Sequence, residues 1–182
     1  MKKFTIVRGL MVVVVFQVLV LAGEYLVAVY PLWTGEPVVL EIVPVDPRSL
    51  FRGNFVHLDY EIATLDETAV AEGIKLKKGD VAYLQLQELE GVYRAKKICP
   101  DKPDQGVFIR GRVERFYVDD DGEVSLSMHY GIEAYFAAKN RALEIEDRFR
   151  ARMSQGDAMA YAQVRIAPNG KAAIEDILWE LP

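Results

Sequence analysis

The stretch Pro44-Val-Asp-Pro-Arg-Ser-Leu-Phe-Arg-Gly-Asn-Phe-Val-His-Leu-Asp-Tyr-Glu-Ile62 decides the fold class. Its first half is rich in turn formers: Pro44 and Pro47 fix φ, while Asp46 and Ser49 can bond their own backbone. Its second half reads as a strand. Val56, Leu58, Tyr60 and Ile62 alternate with His57, Asp59 and Glu61, the period of a sheet with one dry and one wet face. Gly53 stands at the joint between the halves, where free φ is most useful. The reading for 54–62 is one half-buried strand entered through a tight turn.

Outward from this stretch, strand patterns dominate. Val38–Val43 precedes it, with Gly35 and Pro37 as punctuation. Asp66–Gly73 suits a short helical turn capped by Asp66. Val81–Leu86 and Val92–Ile98 form a hairpin around Glu90-Gly91, and Cys99–Gly106 is a loop. Val107–Val118 and Val124–Tyr130 form a second hairpin, turned at Asp119–Gly122. Those consecutive aspartates lack the spacing and the terminal Glu of a calcium loop, so they read as a solvated turn. From Asn140, as N-cap, to Met153 the pattern is helical, with Ile145, Phe149 and Met153 stacked and Glu144–Arg148 and Glu146–Arg150 as exposed pairs. Met159–Ile166 and Ala172–Leu181 close the chain as a hairpin around residues 167–170. About eight or nine strands result, so the class is mainly β with one helix in the C-terminal half, in a barrel-like or sandwich-like sheet.

A sequence echo supports a common strand entry. Leu50–Leu58 and Leu76–Leu84 share Leu-x-basic-Gly-Asx-x-x-x-Leu at a 26-residue offset, and Ile109-Arg-Gly-Arg-Val113 is a looser third copy. The first two predict a tight turn whose Asx ties down the backbone before a strand, and the third is read as a similar strand entry.

Ahead of the β region, Met1-Lys-Lys3 and Arg8 make a positive flank. The 22 residues Gly9–Tyr30 are apolar apart from Gln17 and Glu24, long enough to cross a bilayer core of ~30 Å. Positives before the span predict residues 1–8 in the cytoplasm, 9–31 as a transmembrane helix and 32–182 as a periplasmic β-rich domain of a bacterial inner membrane. The rival reading is a signal peptide cleaved after Val20-Leu-Ala22. Apolar residues continue to Trp33, which favours the uncleaved anchor, with Tyr25, Tyr30 and Trp33 as an interfacial belt. Glu24 is the candidate handle for another membrane helix, or else a carboxyl reaching up to the headgroups.

Charge narrows the function classes. Of the chain's 22 basic and 27 acidic residues, Lys2, Lys3, Arg8 and Glu24 lie before residue 32, which leaves 19 against 26 and a net charge of −7. Such a domain is a poor partner for nucleic acid or an anionic lipid surface. The single cysteine, Cys99, makes no internal disulfide. His57, Asp59, His129 and Glu133 could be drawn into a metal site, but no ligand-spacing motif supports one. No serine elbow, phosphate loop or dinucleotide fingerprint is present, so the expectation is no catalytic, metal or cofactor residue. Residues 48–55 resemble the segment after the nucleophile of type I signal peptidases, but that register puts Val45 at the nucleophile, and Val45 cannot attack a carbonyl.

Taken with the anchor, the Pro44–Arg48 turn and the strand after it, the chain resembles the GDYXXLXY family of membrane-anchored bacterial proteins. Gly53, Asn54, Phe55, Leu58 and Tyr60 stand at the positions of the family's name, and Gly131, Ile132, Glu133, Tyr135 and Phe136 match its later Gly-Ile-Glu-x-Tyr-Phe element. Asp46, Pro47, Arg48 and Arg52 fall in the family's Pro-Val-Asp-Pro-Arg and Arg-Gly-Asp-Tyr runs. Asn54 replaces an Asp and Phe55 a Tyr. An amide does not titrate, so the departure favours a structural role for that motif. The resemblance carries no assigned activity and implies a partner in the bilayer, another, multi-pass membrane protein; the leading expectation is a non-enzymatic accessory protein anchored in the lipid bilayer. Two alternatives stay open: a sensor of a small anionic ligand held by Arg48 and Arg52, and an envelope hydrolase using Asp46, Arg48, Arg52 and Glu133 in one cleft. Arg52 is expected beside a carboxylate such as Glu133, joining the two motifs in space.

Overall fold

The computed structural model describes residues 2–43, 55–66, 69–70, 74, 76–118, 124–154 and 160–181. Helix α1 (Lys2–Thr34) runs almost directly into strand β1 (Glu36–Val43). Strands β2 (Phe55–His57), β3 (Asp59–Tyr60) and β4 (Thr64–Leu65) follow, with a 3-10 turn at Glu61–Ala63 between the last two. The long strands are β5 (Val81–Leu89), β6 (Val92–Cys99), β7 (Phe108–Val118) and β8 (Val124–His129). After the short β9 (Ala134–Phe136) come helix α2 (Lys139–Ser154) and the hairpin β10 (Ala160–Ile166) and β11 (Ala172–Leu178).

Among the described residues all pairings are antiparallel and make three sheets: β11-β10-β1-β3, β4-β8-β7-β5-β6, and β2-β9. The sheets wrap around one apolar core, giving the barrel-like, mainly β architecture expected from the sequence. Leu40, Leu58, Ile62, Leu84, Ile98 and Ile109 are fully buried within it. Each such side chain stabilises the fold by about 1.5–3 kcal/mol relative to exposure. At the seam between the two larger sheets, Arg94 of β6 pairs with Glu41 of β1 (2.8 Å) and Glu61 of the 3-10 turn (3.6 Å).

The structure corrects three sequence readings. Residues 54–62 do not form one strand: β2 and β3 join different sheets, a 3-10 turn begins at Glu61, and Asn54 lies outside the described residues. The alternation still holds, because Val56, Leu58, Tyr60 and Ile62 are all buried. The third copy of the echo is no strand entry, since Gly111 lies inside β7 against the Met128 and Tyr130 side chains. The second copy is the expected turn, with the Lys77 N–H donating to the Asp80 carboxylate (2.8 Å). Asn140 is not the N-cap of α2: the Ala142 N–H already donates to the Ala138 carbonyl (2.9 Å), so the cap position lies two residues earlier and the helix begins at Lys139.

Other expectations are met or fall elsewhere. Ile145 and Phe149 are buried, and Arg148 pairs with Glu144 (3.2 Å). The side chains of Glu146, Arg150 and Met153 are outside the described set, as are residues 119–123 and most of 67–73. Within that last stretch the Ala69 N–H donates to the Asp66 carbonyl (3.2 Å), a single turn.

The junction between helix and sheet is tight. The Gly35 N–H donates to the Pro31 carbonyl (2.8 Å), and Arg165 of β10 reaches the Gly35 carbonyl (3.4 Å) while it forks onto Glu175 of β11 (2.8 and 3.2 Å). A Cβ at residue 35 would stand 2.4 Å from the Pro31 oxygen and 2.9 Å from the Ile166 nitrogen, both backbone atoms that cannot swing aside. Gly35→Ala is therefore expected to destabilise the protein by about 1–3 kcal/mol through overpacking. Thermal unfolding of the full chain in detergent measures this, and an unchanged Tm would show the junction to be loose.

Candidate functional site

The two family motifs meet. Strand β2 pairs with β9 in the register Phe55–Phe136, Val56–Tyr135 and His57–Ala134. Just beyond, the Leu58 N–H donates to the Glu133 carbonyl (2.8 Å). Two tyrosines then cross between the segments. The Tyr60 hydroxyl donates to the Ile132 carbonyl (2.8 Å), and the Tyr130 hydroxyl donates to the Ile62 carbonyl (2.6 Å). Both rings are buried.

Glu133 organises the turn between β8 and β9. Its side chain accepts the backbone N–H groups of Tyr130 (2.5 Å) and Gly131 (2.9 Å) and pairs with His129 Nε2 (3.2 Å). Gly131 has φ +85°, a conformation that explains the residue type there. At 8% exposure Glu133 is the one buried charged residue among those described, and such a charge persists only when bonded in this way. Burial pushes both phenols up, Tyr60 and Tyr130 alike, and the nearby Glu133 charge pushes them further. Leu58, Tyr60, Gly131 and Glu133 thus perform structural work.

Of the other candidates, Asp46, Pro47, Arg48, Arg52, Gly53 and Asn54 lie outside the described residues, as does the expected contact between Arg52 and Glu133. The Phe55 side chain is likewise undescribed. Tyr135 is half-buried and Phe136 exposed. His57 pairs with Asp59 (3.5 Å), and both line a cleft of about 540 Å³ into which His129 and Glu133 also face. Among the described residues no three His, Cys, Asp or Glu side chains are close enough to hold a metal ion.

A larger cleft, about 690 Å³, also borders the motif junction. Glu24, Val27, Ala28 and Pro31 form its helical wall, at the i, i+3, i+4, i+7 spacing of one face. The facing wall carries Arg110 and Arg112 of β7, His129, and Lys171 from the β10–β11 turn. Phe136 stands at this cleft too. Arg112 donates one N–H to the Gly79 carbonyl (3.1 Å), whereas Glu24, Arg110 and Lys171 form no ion pair with any described residue. Sequence reading missed the three cations. The alternation of Arg110 and Arg112 along a strand was the available signal, and it was absorbed into the echo.

Residues 17–177 match the family described as GDYXXLXY protein, and the chain belongs to that family. It matches no curated protein and no solved structure.

Two expectations test the structural reading. Tyr60→Phe and Tyr130→Phe each leave a buried carbonyl without its donor, at a cost of about 1–3 kcal/mol. Glu133→Ala orphans two amides and costs about 2–3 kcal/mol, part of which Glu133→Gln recovers through its remaining acceptor oxygen. Denaturation of the full chain measures all four, and a Tyr60→Phe protein as stable as the parent would break the account.

The raised phenol pKa values also set a pH dependence. Above the ordinary value of 10.0 the unfolded chain releases phenol protons that folded Tyr60 and Tyr130 retain. The stability they contribute is complete below that pH and is lost as pH rises above it. Tm is expected to fall on the alkaline side of 10, and less steeply in the doubly Phe-substituted protein.

Proposed function

We propose that the protein is a membrane-anchored accessory protein that docks on another membrane protein, with its N-terminus in the cytoplasm and its β domain in the periplasm. Residues 7–34 of α1 are long and apolar enough to cross a bilayer, and a β domain follows. The carrying observation is the face of α1 turned away from the cleft. Leu26, Tyr30 and Trp33 recur there at i, i+4, i+7, and Leu26 and Trp33 are 52% and 66% exposed beside a folded domain. An apolar aromatic strip continuous with a membrane span suits an occupant that is itself in the membrane.

The placement of Glu24 bears on the depth of the span. From Glu24 to Thr34 the helix flanks the β domain, a length of ~15 Å at 1.5 Å per residue. In this reading the hydrocarbon ends near Glu24. Val7–Gly23, ~25 Å long, then makes the crossing at the short end of the usual range, with Arg8 reaching back to the cytoplasmic headgroups.

The topology is checked with a reporter active only in the periplasm, fused after Pro182. Activity is expected, with the protein retained in membranes after a high-pH wash. Release into the soluble fraction would instead support cleavage after Ala22. For docking, a photoreactive residue at position 26 or 33 is expected to trap a membrane protein that the same residue at exposed Lys97 does not. Equal trapping at all three positions, or none, would sink the accessory reading.

A further inference from the structure

We propose that the cleft between α1 and the β domain binds the headgroup of a phospholipid carrying both a phosphate and a primary ammonium group, a phosphoethanolamine lipid of the leaflet beside the domain. The walls are complementary to such a zwitterion. Arg110, Arg112 and Lys171 offer forked and point-charge donors to a phosphate on one side. Glu24 faces them across the gap as the only carboxylate among the described residues that line it. The opposed charges do not close on one another, since Glu24, Arg110 and Lys171 form no ion pair with any described residue. Val27 lies on the same wall as Glu24, and Pro31, having no N–H, cannot supply the usual i+4 donor to the Val27 carbonyl. The ammonium group thus meets a carboxylate, while the phosphate meets three cations.

The source of the ligand follows from the wall that holds Glu24. That wall is the continuation of the apolar helix, and Val27 and Ala28 carry its apolar surface into the cleft. A headgroup seated between Glu24 and the cations keeps its glycerol and acyl chains on the bilayer side. A free phosphate or phosphoethanolamine would use the same polar groups and gain nothing from that surface.

The inference rests on the anchored orientation proposed above. Its test is run in detergent, where topology plays no part, so the two can fail separately. The full chain, purified in a maltoside detergent, is titrated by calorimetry with dihexanoylphosphatidylethanolamine, its phosphatidylglycerol counterpart, phosphoethanolamine and inorganic phosphate. The ethanolamine lipid is expected to bind most tightly. Combining Arg110→Gln with Lys171→Gln is expected to weaken it about tenfold or more, while Lys171→Arg retains it. Glu24→Gln is expected to erase the preference for ethanolamine over glycerol lipid and leave the glycerol lipid's own affinity unchanged. An unchanged Tm in each variant separates lost binding from lost fold. Equal binding by parent and doubly substituted protein, or no heat with either lipid, overturns the proposal. Inorganic phosphate or phosphoethanolamine binding as tightly as the lipid assigns the cleft to a free anion and overturns the lipid source.

Discussion

Two phenol hydroxyls, each donating to a carbonyl beside the other ring's own segment, hold the rest of the domain in place. Residues 55–65 supply a strand to all three sheets, and no piece is longer than three residues. Strands so short cannot satisfy a buried backbone by ladder bonds alone, and buried carbonyls left unpaired are costly. The hydroxyls of Tyr60 and Tyr130 satisfy the Ile132 and Ile62 carbonyls, and the Glu133 carboxylate satisfies the amides of its own turn. The crossing of one segment through three sheets depends on those side chains. So does the closure of the sheets around the core.

Much of this was legible in residues 54–62, though not the breaks. Alternation of apolar and polar residues reports which side chains are buried, and here it reported them correctly from Val56 to Ile62. It cannot report which sheet each piece joins, because period 2 is the same for one strand and for two collinear fragments. One trace of the turn exists: after Ile62 the next buried residue is Leu65, a three-residue step. The role of Glu133 was hidden for a different reason. Its partners are backbone amides two and three residues away, and no residue pattern announces a carboxylate folded back on its own turn. Of the large cleft only the Arg110–Arg112 alternation was legible, since only the fold brings Glu24 opposite Arg110 and Lys171.

The junction at Gly35 gives these placements a direction relative to the apolar helix. A flexible linker would let the β domain tumble on its tether, as Gly- and Ser-rich linkers do. Here one residue separates helix from strand, and its N–H and carbonyl are both bonded within the junction. The last turns of α1 therefore keep one face toward β10 and β11 and the other outward. A single rigid joint sorts the helix into a face that shapes the cleft and a face turned outward.

The charge of the domain and the chemistry of the cleft are compatible once their ranges are separated. A net charge of −7 over residues 32–182 opposes broad adsorption onto an anionic surface, which requires many cations acting together. It does not oppose one stoichiometric site, because at physiological salt exposed charges more than ~8 Å apart are largely screened from one another. A zwitterionic headgroup brings no net charge for the distant acids to repel. The acids set what the domain avoids at long range, and Arg110, Arg112, Lys171 and Glu24 set what it can hold at contact. The structural motif residues cannot share that task, since the hydroxyls of Tyr60 and Tyr130 and the carboxylate of Glu133 are already committed within the fold. Ligand preference can therefore change at the cleft's charges without disturbing the clasp that closes the domain.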